Sequence, residues 1–240
     1  MRTECRGLGH VTELAVAGET LTLLAERAVW WAGADTLFVA DTHFGKTAAF
    51  RASGIPIPAG TTADDLARLS TLIEGTGAKR LVVLGDLIHA KAGRDERPTV
   101  EAVAAWRDRH DAVECVLVRG NHDARAGDPE PCWRFECVDP GVTEGPFEYR
   151  HFPVPRGEAA AGFVLAGHLH PMVRVTGDAG DRHRLPVFLS DERQLTLPAF
   201  GGFVDGTRVT PREDQRVDVA VDGAVVTLHL PGRPAVEKIK

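Results

Sequence analysis

The sequence has few aromatic side chains, with one Tyr, four Trp and ten Phe in 240 residues. No aromatic-rich run offers a platform for stacking single-stranded bases. Trp30-Trp31 lies in an apolar strand pattern, and the Phe residues mostly read as core. Cysteine is scarce as well. Cys5, Cys115, Cys132 and Cys137 form no Cys-x-x-Cys pair, and no second Cys/His pair at finger spacing accompanies Cys132 and Cys137. A structural zinc site is therefore not expected. No apolar run approaches membrane-spanning length. Met1 to His10 is polar and unlike a secretory leader. These absences point to a cytoplasmic protein with reduced thiols and no membrane association. Positive charge is also short, at a formal net charge of -6. No global field therefore advertises nucleic-acid binding, although bound divalent cations add local charge that residue counting misses. Nor is there the Gly, Pro or Ser excess of a disordered chain.

What is present suits an α/β fold in one domain over residues 1–240, since no linker, repeat or change of composition divides the chain. Leu14 to Leu24 and Ala28 to Trp31 read as strands with turns at Gly18-Glu19 and Glu26-Arg27. Thr36 to Ala40, Arg80 to Leu84, Cys115 to Val118 and Phe163 to Ala166 are short continuous apolar runs, the pattern of strands covered on both faces. Helices are expected from Thr62 to Glu74 and from Thr99 to Arg109. The first would be capped by Thr61 or Thr62, would carry an apolar face of Leu66, Leu69, Leu72 and Ile73, and would end at Gly75 and Gly77. Between the first buried strand and this helix, Thr42 to Gly60 is too irregular for a regular element. The last third is strand-rich: Pro186 to Ser190, Gln194 to Pro198, Val217 to Val221 and Ala224 to Leu230, with a turn at Asp222-Gly223.

Each buried strand ends on Asp, Asn or His. Asp41 and His43 follow the first, Asp86 the second, Asn121-His122-Asp123 the third, and His168 with His170 the fourth. The carboxyl edge of an α/β sheet is where ligand sites form. Oxygen and imidazole donors without a thiolate suit Mn, Fe, Zn or Mg. Alone, each piece is ordinary turn chemistry; together, in order and each closing an apolar strand, they are not explained by turns.

The set Asp41-Thr42-His43, Gly85-Asp86, Gly120-Asn121-His122-Asp123 and Gly167-His168-Leu169-His170 resembles the signature of the calcineurin-like metallophosphoesterases. Its intermediate single His is best matched by His151, which follows the strand pattern Phe147 to Arg150, with His183 and His110 as the other candidates. The resemblance covers residues 36 to 172. It implies two packed β-sheets flanked by helices, a four-layer αββα sandwich. It also implies two divalent metal ions, Mn2+ first with Fe or Zn as alternatives, and attack on a phosphodiester by a metal-bridging hydroxide. Asp41, His43 and His170 would bind one ion, Asn121, His151 and His168 the other, and Asp86 both. His122 would protonate the leaving group, with Asp123 orienting its imidazole. In many family members a second Asp follows Gly-Asp after two residues; here His89 takes that place.

Finer motifs narrow the resemblance. Val39-Ala40-Asp41-Thr42-His43-Phe44-Gly45-Lys46, Phe50-Arg51 with Gly54-Ile55-Pro56-Ile57-Pro58 and Gly60-Thr61-Thr62, Gly85 through Gly93, and Leu197-Pro198-Ala199-Phe200-Gly201 are similar to one bacterial subgroup. These are the ligase-associated DNA damage response endonucleases (PdeM-type metallophosphoesterases). The subgroup implies a DNA substrate in repair and association with a DNA ligase, a helicase and an exonuclease. A small phosphodiester or nucleotide is the alternative substrate, and an inactive scaffold the third reading. From the residues themselves, Lys46, Arg51, His89 and Arg119 are candidates for contacting phosphate or supporting the ligands. Arg125, Arg150 and Arg174 also lie near the motifs.

Overall fold

The computed structural model describes residues 8–57, 60–176 and 181–228. Cys5, Pro58 and the end of the last expected strand at 229–230 lie outside them. In the first sheet, β1 (Thr12–Val16), β2 (Glu19–Leu24), β3 (Ala28–Trp31), β4 (Thr36–Val39), β5 (Arg80–Val83), β6 (Glu114–Val118) and β7 (Glu136–Val138) stand side by side in chain order. β1 to β4 pair antiparallel, whereas β4 to β7 pair parallel. Helical crossovers make the parallel part possible. α1 (Lys46–Ala52) and α2 (Thr61–Thr76) join β4 to β5, α3 (Lys91–Arg94) and α4 (Arg97–Arg109) join β5 to β6, and α5 (Asn121–Ala126) follows β6.

The second sheet contains β8 (Val142–Glu144), β9 (Phe147–Tyr149), β10 (Phe163–Ala166), β11 (Pro171–Thr176), β12 (Arg182–Ser190), β13 (Gln194–Thr196), β14 (Thr207–Arg208), β15 (Arg216–Val221) and β16 (Ala224–Thr227). Its order is β14-β11-β12-β13-β10-β9-β8, with β15 also paired to β12, and β16 to β15. β9, β10 and β13 run parallel, so their carboxyl ends open on one edge.

The continuous apolar runs are explained by what covers them. Leu37, Val39, Leu81, Val83 and Leu117 face the helices, joining Leu66, Leu69, Leu72, Val103 and Trp106. Alternate residues Phe38, Ala40, Val82, Leu84, Val116 and Val118 face the second sheet, against Phe147, Tyr149, Leu165, Phe188 and Leu195. Each such buried side chain contributes about 1.5–3 kcal/mol. Two packed sheets with flanking helices are therefore as expected. The helices cover the first sheet; on the far face of the second, among the described residues, the cover is the β-strand cluster of Val173, Val187, Leu189, Val217 and Val219.

Two expectations need correction. Thr42 to Gly60 is not wholly irregular, because α1 begins at Lys46. Its seven residues are too few for an apolar period to show, and no side-chain cap marks its start. α2 begins at Thr61 with Gly60 at the cap position, so neither threonine caps it. Thr62 Oγ1 instead accepts from the Gly45 N–H at 3.2 Å, and Thr61 Oγ1 lies 3.1 Å from Thr47 Oγ1, tying α2 to α1.

Candidate metal centre

Asp41 and His43 follow β4, Asp86 follows β5, Asn121 and His122 open α5, His151 follows β9, and His168 and His170 follow β10. The two sheets thus meet at one edge, each bringing strand ends to it. The loops are stitched there by backbone bonds, Asp41 N to Gly85 O at 3.0 Å and His43 N to Asp86 O at 2.9 Å, while Phe200 N reaches Ala40 O at 2.8 Å. Half of the non-glycine described residues with positive φ sit in this cluster: Asp41 (54°), His43 (48°), Asp86 (54°), His168 (70°) and His170 (44°). That conformation is uncommon outside glycine and costs of order 1–3 kcal/mol per residue, so the surrounding packing must hold it in place.

The side chains form two adjoining donor groups that meet at Asp86, with a third beside them. Asp41, His43 and His170 make one, Asp86, His151 and His168 the other, and His43, His89 and His122 the third, the donor atoms of each lying within 4.8 Å of one another. His43 Nε2 is 3.4 Å from His170 Nε2 and 3.8 Å from Asp86 Oδ2. Asp86 Oδ1 is 3.5 Å from His151 Nε2, which in turn lies 3.0 Å from Asn121 Oδ1 and 3.2 Å from His168 Nδ1. The Asp86 carboxylate therefore faces both groups.

Backbone carbonyls behind the candidate ligands select which nitrogen points inward. His151 Nδ1 donates to Leu84 O at 3.1 Å, and His170 Nδ1 to Asp205 O at 3.0 Å, leaving Nε2 free in each case. Burial, reinforced by His170, His122 and His89, pulls the His43 pKa down to about 2, so its imidazole is neutral. Burial likewise raises that of Asp86 and lowers that of His168. At His170 burial acts downward but the Asp41 carboxylate outweighs it, and the net shift is upward.

A cation fits this arrangement. Asp41 is fully buried, and its Oδ1, which faces His170 Nε2 at 3.3 Å, makes no hydrogen bond of normal geometry, an arrangement that a buried site does not normally leave. Lone-pair donors face each other across 3.0–3.5 Å in both groups, a repulsive arrangement that a divalent ion turns attractive. Nitrogen and oxygen donors without thiolate suit Mn, Fe, Zn or Mg.

The calcineurin-like phosphoesterase family model matches residues 35–197. The chain belongs to the calcineurin-like phosphoesterases. Among solved structures it is similar to a nuclease, MPE, of Pseudomonas putida, at 38% identity with a TM-score of 0.79, over 91% of this chain and 100% of that one. Two more distant structures also match. One is a protein of unknown function from Aquifex aeolicus (16% identity, 55% of this chain and 77% of that one, TM-score 0.37), the other the phosphoesterase Yfce of E. coli (15%, 80% and 97%, TM-score 0.41). Neither is close enough to carry an argument. No curated protein matches.

The ligand candidates Asp41, His43, Asp86, Asn121, His151, His168 and His170 are brought together at this edge; His110 and His183 stand elsewhere, bonded to Ser70 and to Asp181. His122 is half-buried at the rim. Its N–H donates to Asp86 Oδ1 at 2.9 Å and its Nδ1 to the His89 carbonyl at 2.6 Å. Asp123 does not orient that imidazole. Its carboxylate accepts backbone N–H groups of Asp86 (2.7 Å), Gly120 (2.9 Å) and Ile88 (3.1 Å), so it braces the loop that carries Asp86. His89 stands behind His43, the two Nδ1 atoms 3.5 Å apart, and stacks on the His122 ring at 5.0 Å. Burial drops its pKa to about 4.

Arg51 and Arg119 are each engaged in ion pairs. Arg51 pairs with Glu96 at 2.7 Å, and Arg119 with Asp128 at 2.7 Å and Asp139 at 3.0 Å. Lys46 lies near the centre, half-buried, its pKa lowered by burial and partly restored by Asp205. Sequence reasoning missed the carbonyls of Leu84, His89 and Asp205, which no side-chain motif encodes. It also gave no role to Phe152, which is 47% exposed with its ring 4.2 Å from that of His168. Beside it opens a cavity of about 800 Å³ between Phe152–Arg156 and Thr210–Gln215.

Proposed function

We propose that this chain is a phosphodiesterase that uses two divalent metal ions, Mn2+ first with Fe or Zn as alternatives, to cleave phosphodiester bonds in DNA during bacterial DNA repair. One observation carries the reading: two donor groups, Asp41–His43–His170 and Asp86–His151–His168, adjoin through a single shared carboxylate. Asp41, His43 and His170 would hold one ion, Asn121, His151 and His168 the second, with Asp86 between them. Such ions, when bound, supply Lewis acidity at phosphoryl oxygens and an acidified water. The protein's own share is positioning and one proton. Because His122 gives its Nδ1–H to the His89 carbonyl, the proton it can exchange with a leaving oxygen is the one on Nε2.

Nucleic acid is favoured as substrate by the likeness to the Pseudomonas putida nuclease. The 800 Å³ cavity beside Phe152 supports it too, since it offers room beyond a lone phosphate and an exposed ring for a base. The acidic net charge and the neutralised Arg51 and Arg119 favour the second reading, a hydrolase of small phosphodiesters or nucleotides. The retained donors speak against an inactive scaffold. Action in the cytoplasm, as a single domain and in association with a DNA ligase, a helicase and an exonuclease, belongs to the same proposal. Among the described residues no helix is long and apolar enough to cross a membrane.

The test is hydrolysis of an aryl phosphodiester and of labelled single-stranded DNA, with Mn2+ and with chelator, beside the His122→Ala protein. Metal-dependent cleavage of both, lost in the variant, is expected. Cleavage of the aryl diester alone would favour the small-molecule reading, and activity on neither the scaffold.

A further inference from the structure

We propose that the outer face of the β14-β11-β12 ribbon is a binding track for the phosphate backbone of a nucleic acid, formed by Arg174, Arg182, Arg184 and Arg208. The inference rests on the nuclease reading above and adds to it a site away from the metal centre.

Strand register puts the four guanidinium-bearing residues on one face. Arg174 is paired directly with Arg184 across β11 and β12, Arg182 lies two residues from Arg184, and Arg208 is paired with Met172, two residues from Arg174. All four line one depression of about 340 Å³, completed by Met172 and Val173, with no acidic residue lining it among the described residues. Arg174, Arg182 and Arg208 are exposed, and among the described residues no ion pair engages them. Arg184 alone is held, by Asp205 Oδ1 at 3.0 Å. Like charges directly opposite on an antiparallel pair destabilise it. On a chain of net charge -6, such a cluster calls for an anionic ligand that can bridge several guanidinium groups.

The ribbon is packed on its inner face and joined to the centre. Val173 faces inward to pack with Val187, Leu189, Val217 and Val219, backed by Val175, so the outward arginines are presented on packed strands. β11 starts directly after His170, and Thr207 N donates to the His170 carbonyl at 3.0 Å while His170 Nδ1 donates to the Asp205 carbonyl at 3.0 Å. Four residues of strand from His170 to Arg174 span about 13 Å, roughly four times the 3.4 Å rise per nucleotide of a duplex strand. A ligand with regularly spaced phosphates reaches from the metal centre onto the arginines; a single small diester does not. That selects a polynucleotide as the occupant.

The experiment compares wild type, R174A/R182A/R208A and R174K/R182K/R208K, all loaded with Mn2+, on a labelled 20-nucleotide single strand across a NaCl series and on an aryl phosphodiester. Arg184 is left in place because it is tied to Asp205. The expected result for the alanine protein is a fall of about tenfold or more in kcat/KM on DNA, carried by KM. The slope of log(kcat/KM) against log[salt] should become shallower by about 2, since each single-strand phosphate contact contributes about 0.7. Turnover of the aryl diester should hold, and the lysine protein should recover much of the DNA activity, because charge matters more than shape at a phosphate. An unchanged DNA kcat/KM and salt slope would overturn the track, as would an equal loss on both substrates. A wild-type protein that turns over the aryl diester but not DNA would instead sink the nuclease reading, and the track with it.

Discussion

In the proposed mechanism, the chemistry of His122 falls to the nitrogen left free once Nδ1 is committed to the His89 carbonyl. On that mechanism, replacing His122 by Ala removes the proton donor but none of the residues assigned to the two ions. The variant should keep its metal while losing about 10²–10⁴-fold in kcat on substrates with poor leaving groups, and less on an aryl diester. Metal analysis beside the two rates checks this; loss of metal with full activity per bound ion would show His122 to be a ligand. Asp123 makes the opposite prediction. Its carboxylate satisfies three buried N–H groups, and burial lifts its pKa to about 6 despite them. In Asp123→Asn the amide NH2 would face at least one of those donors, at roughly 1–3 kcal/mol for each one left unsatisfied. The variant should melt lower and bind metal more weakly through a displaced Asp86, with any remaining activity following the metal bound. A variant with native melting and native metal content but slow turnover would return Asp123 to the role of orienting His122.

At the scale of elements, the centre depends on loops that approach more closely than side chains permit. Gly85 has φ +84°, and a Cβ there would lie 2.1 Å from His151 Nδ1; one on Gly120 would lie 2.2 Å from Asp86 Oδ1. Gly85→Ala should therefore cost about 2–4 kcal/mol from left-handed strain and overpacking. That corresponds to a drop in Tm of roughly 4–16 °C for a chain of this size. The same change should push His151 off its position, so metal affinity should fall with stability; a melting scan with and without Mn2+ measures both. The buried strands, and the donors that close them, were legible in the sequence because continuous apolar runs and their termini are local signals. β11 and β14 were not. β11 alternates outward Met172, Arg174 and Thr176 with inward valines, a short pattern easily lost beside the preceding His motif, and β14 has only two residues. α1 escaped notice for want of a cap. Within the centre, the ligand candidates were legible as side-chain motifs, whereas Asp123's bonds to backbone N–H groups and the carbonyls behind His122, His151 and His170 belong to tertiary structure. The ion pairs that engage Arg51 and Arg119 join residues 45, 9 and 20 positions apart, and nothing in the local sequence announces them.

For the whole molecule, metal binding and folding are one equilibrium. The donor groups draw residues from both sheets, so an ion held there ties the sheets together and stabilises only the folded chain. At a free metal concentration about 100 times the Kd this adds about 2.7 kcal/mol, a rise in Tm of roughly 5–11 °C that chelator should reverse. The pH dependence follows from which donors carry protons before the ion arrives. His43, with its pKa driven down to about 2 by burial and neighbouring imidazoles, and His168, also lowered, are already deprotonated near neutrality. His170 and Asp86 are the reverse case: the Asp41 carboxylate outweighs burial at His170 and holds its pKa above the ordinary 6.5, and burial raises Asp86. A proton on either must leave before an ion binds. In the metal-free folded state, the raised His170 pKa contributes stability that is present below pH 6.5 and is lost as pH rises through the folded value. The ion's contribution runs the other way, full at high pH and shrinking as His170 takes up its proton. The difference in Tm between Mn2+-loaded and chelator-treated protein should therefore widen from pH 6 to pH 8. Calorimetric titration at pH 7 in buffers of different ionisation enthalpy should show net proton release on binding. A difference in Tm that stays flat across that range, with no proton released, would mean that His170 does not ligate the ion.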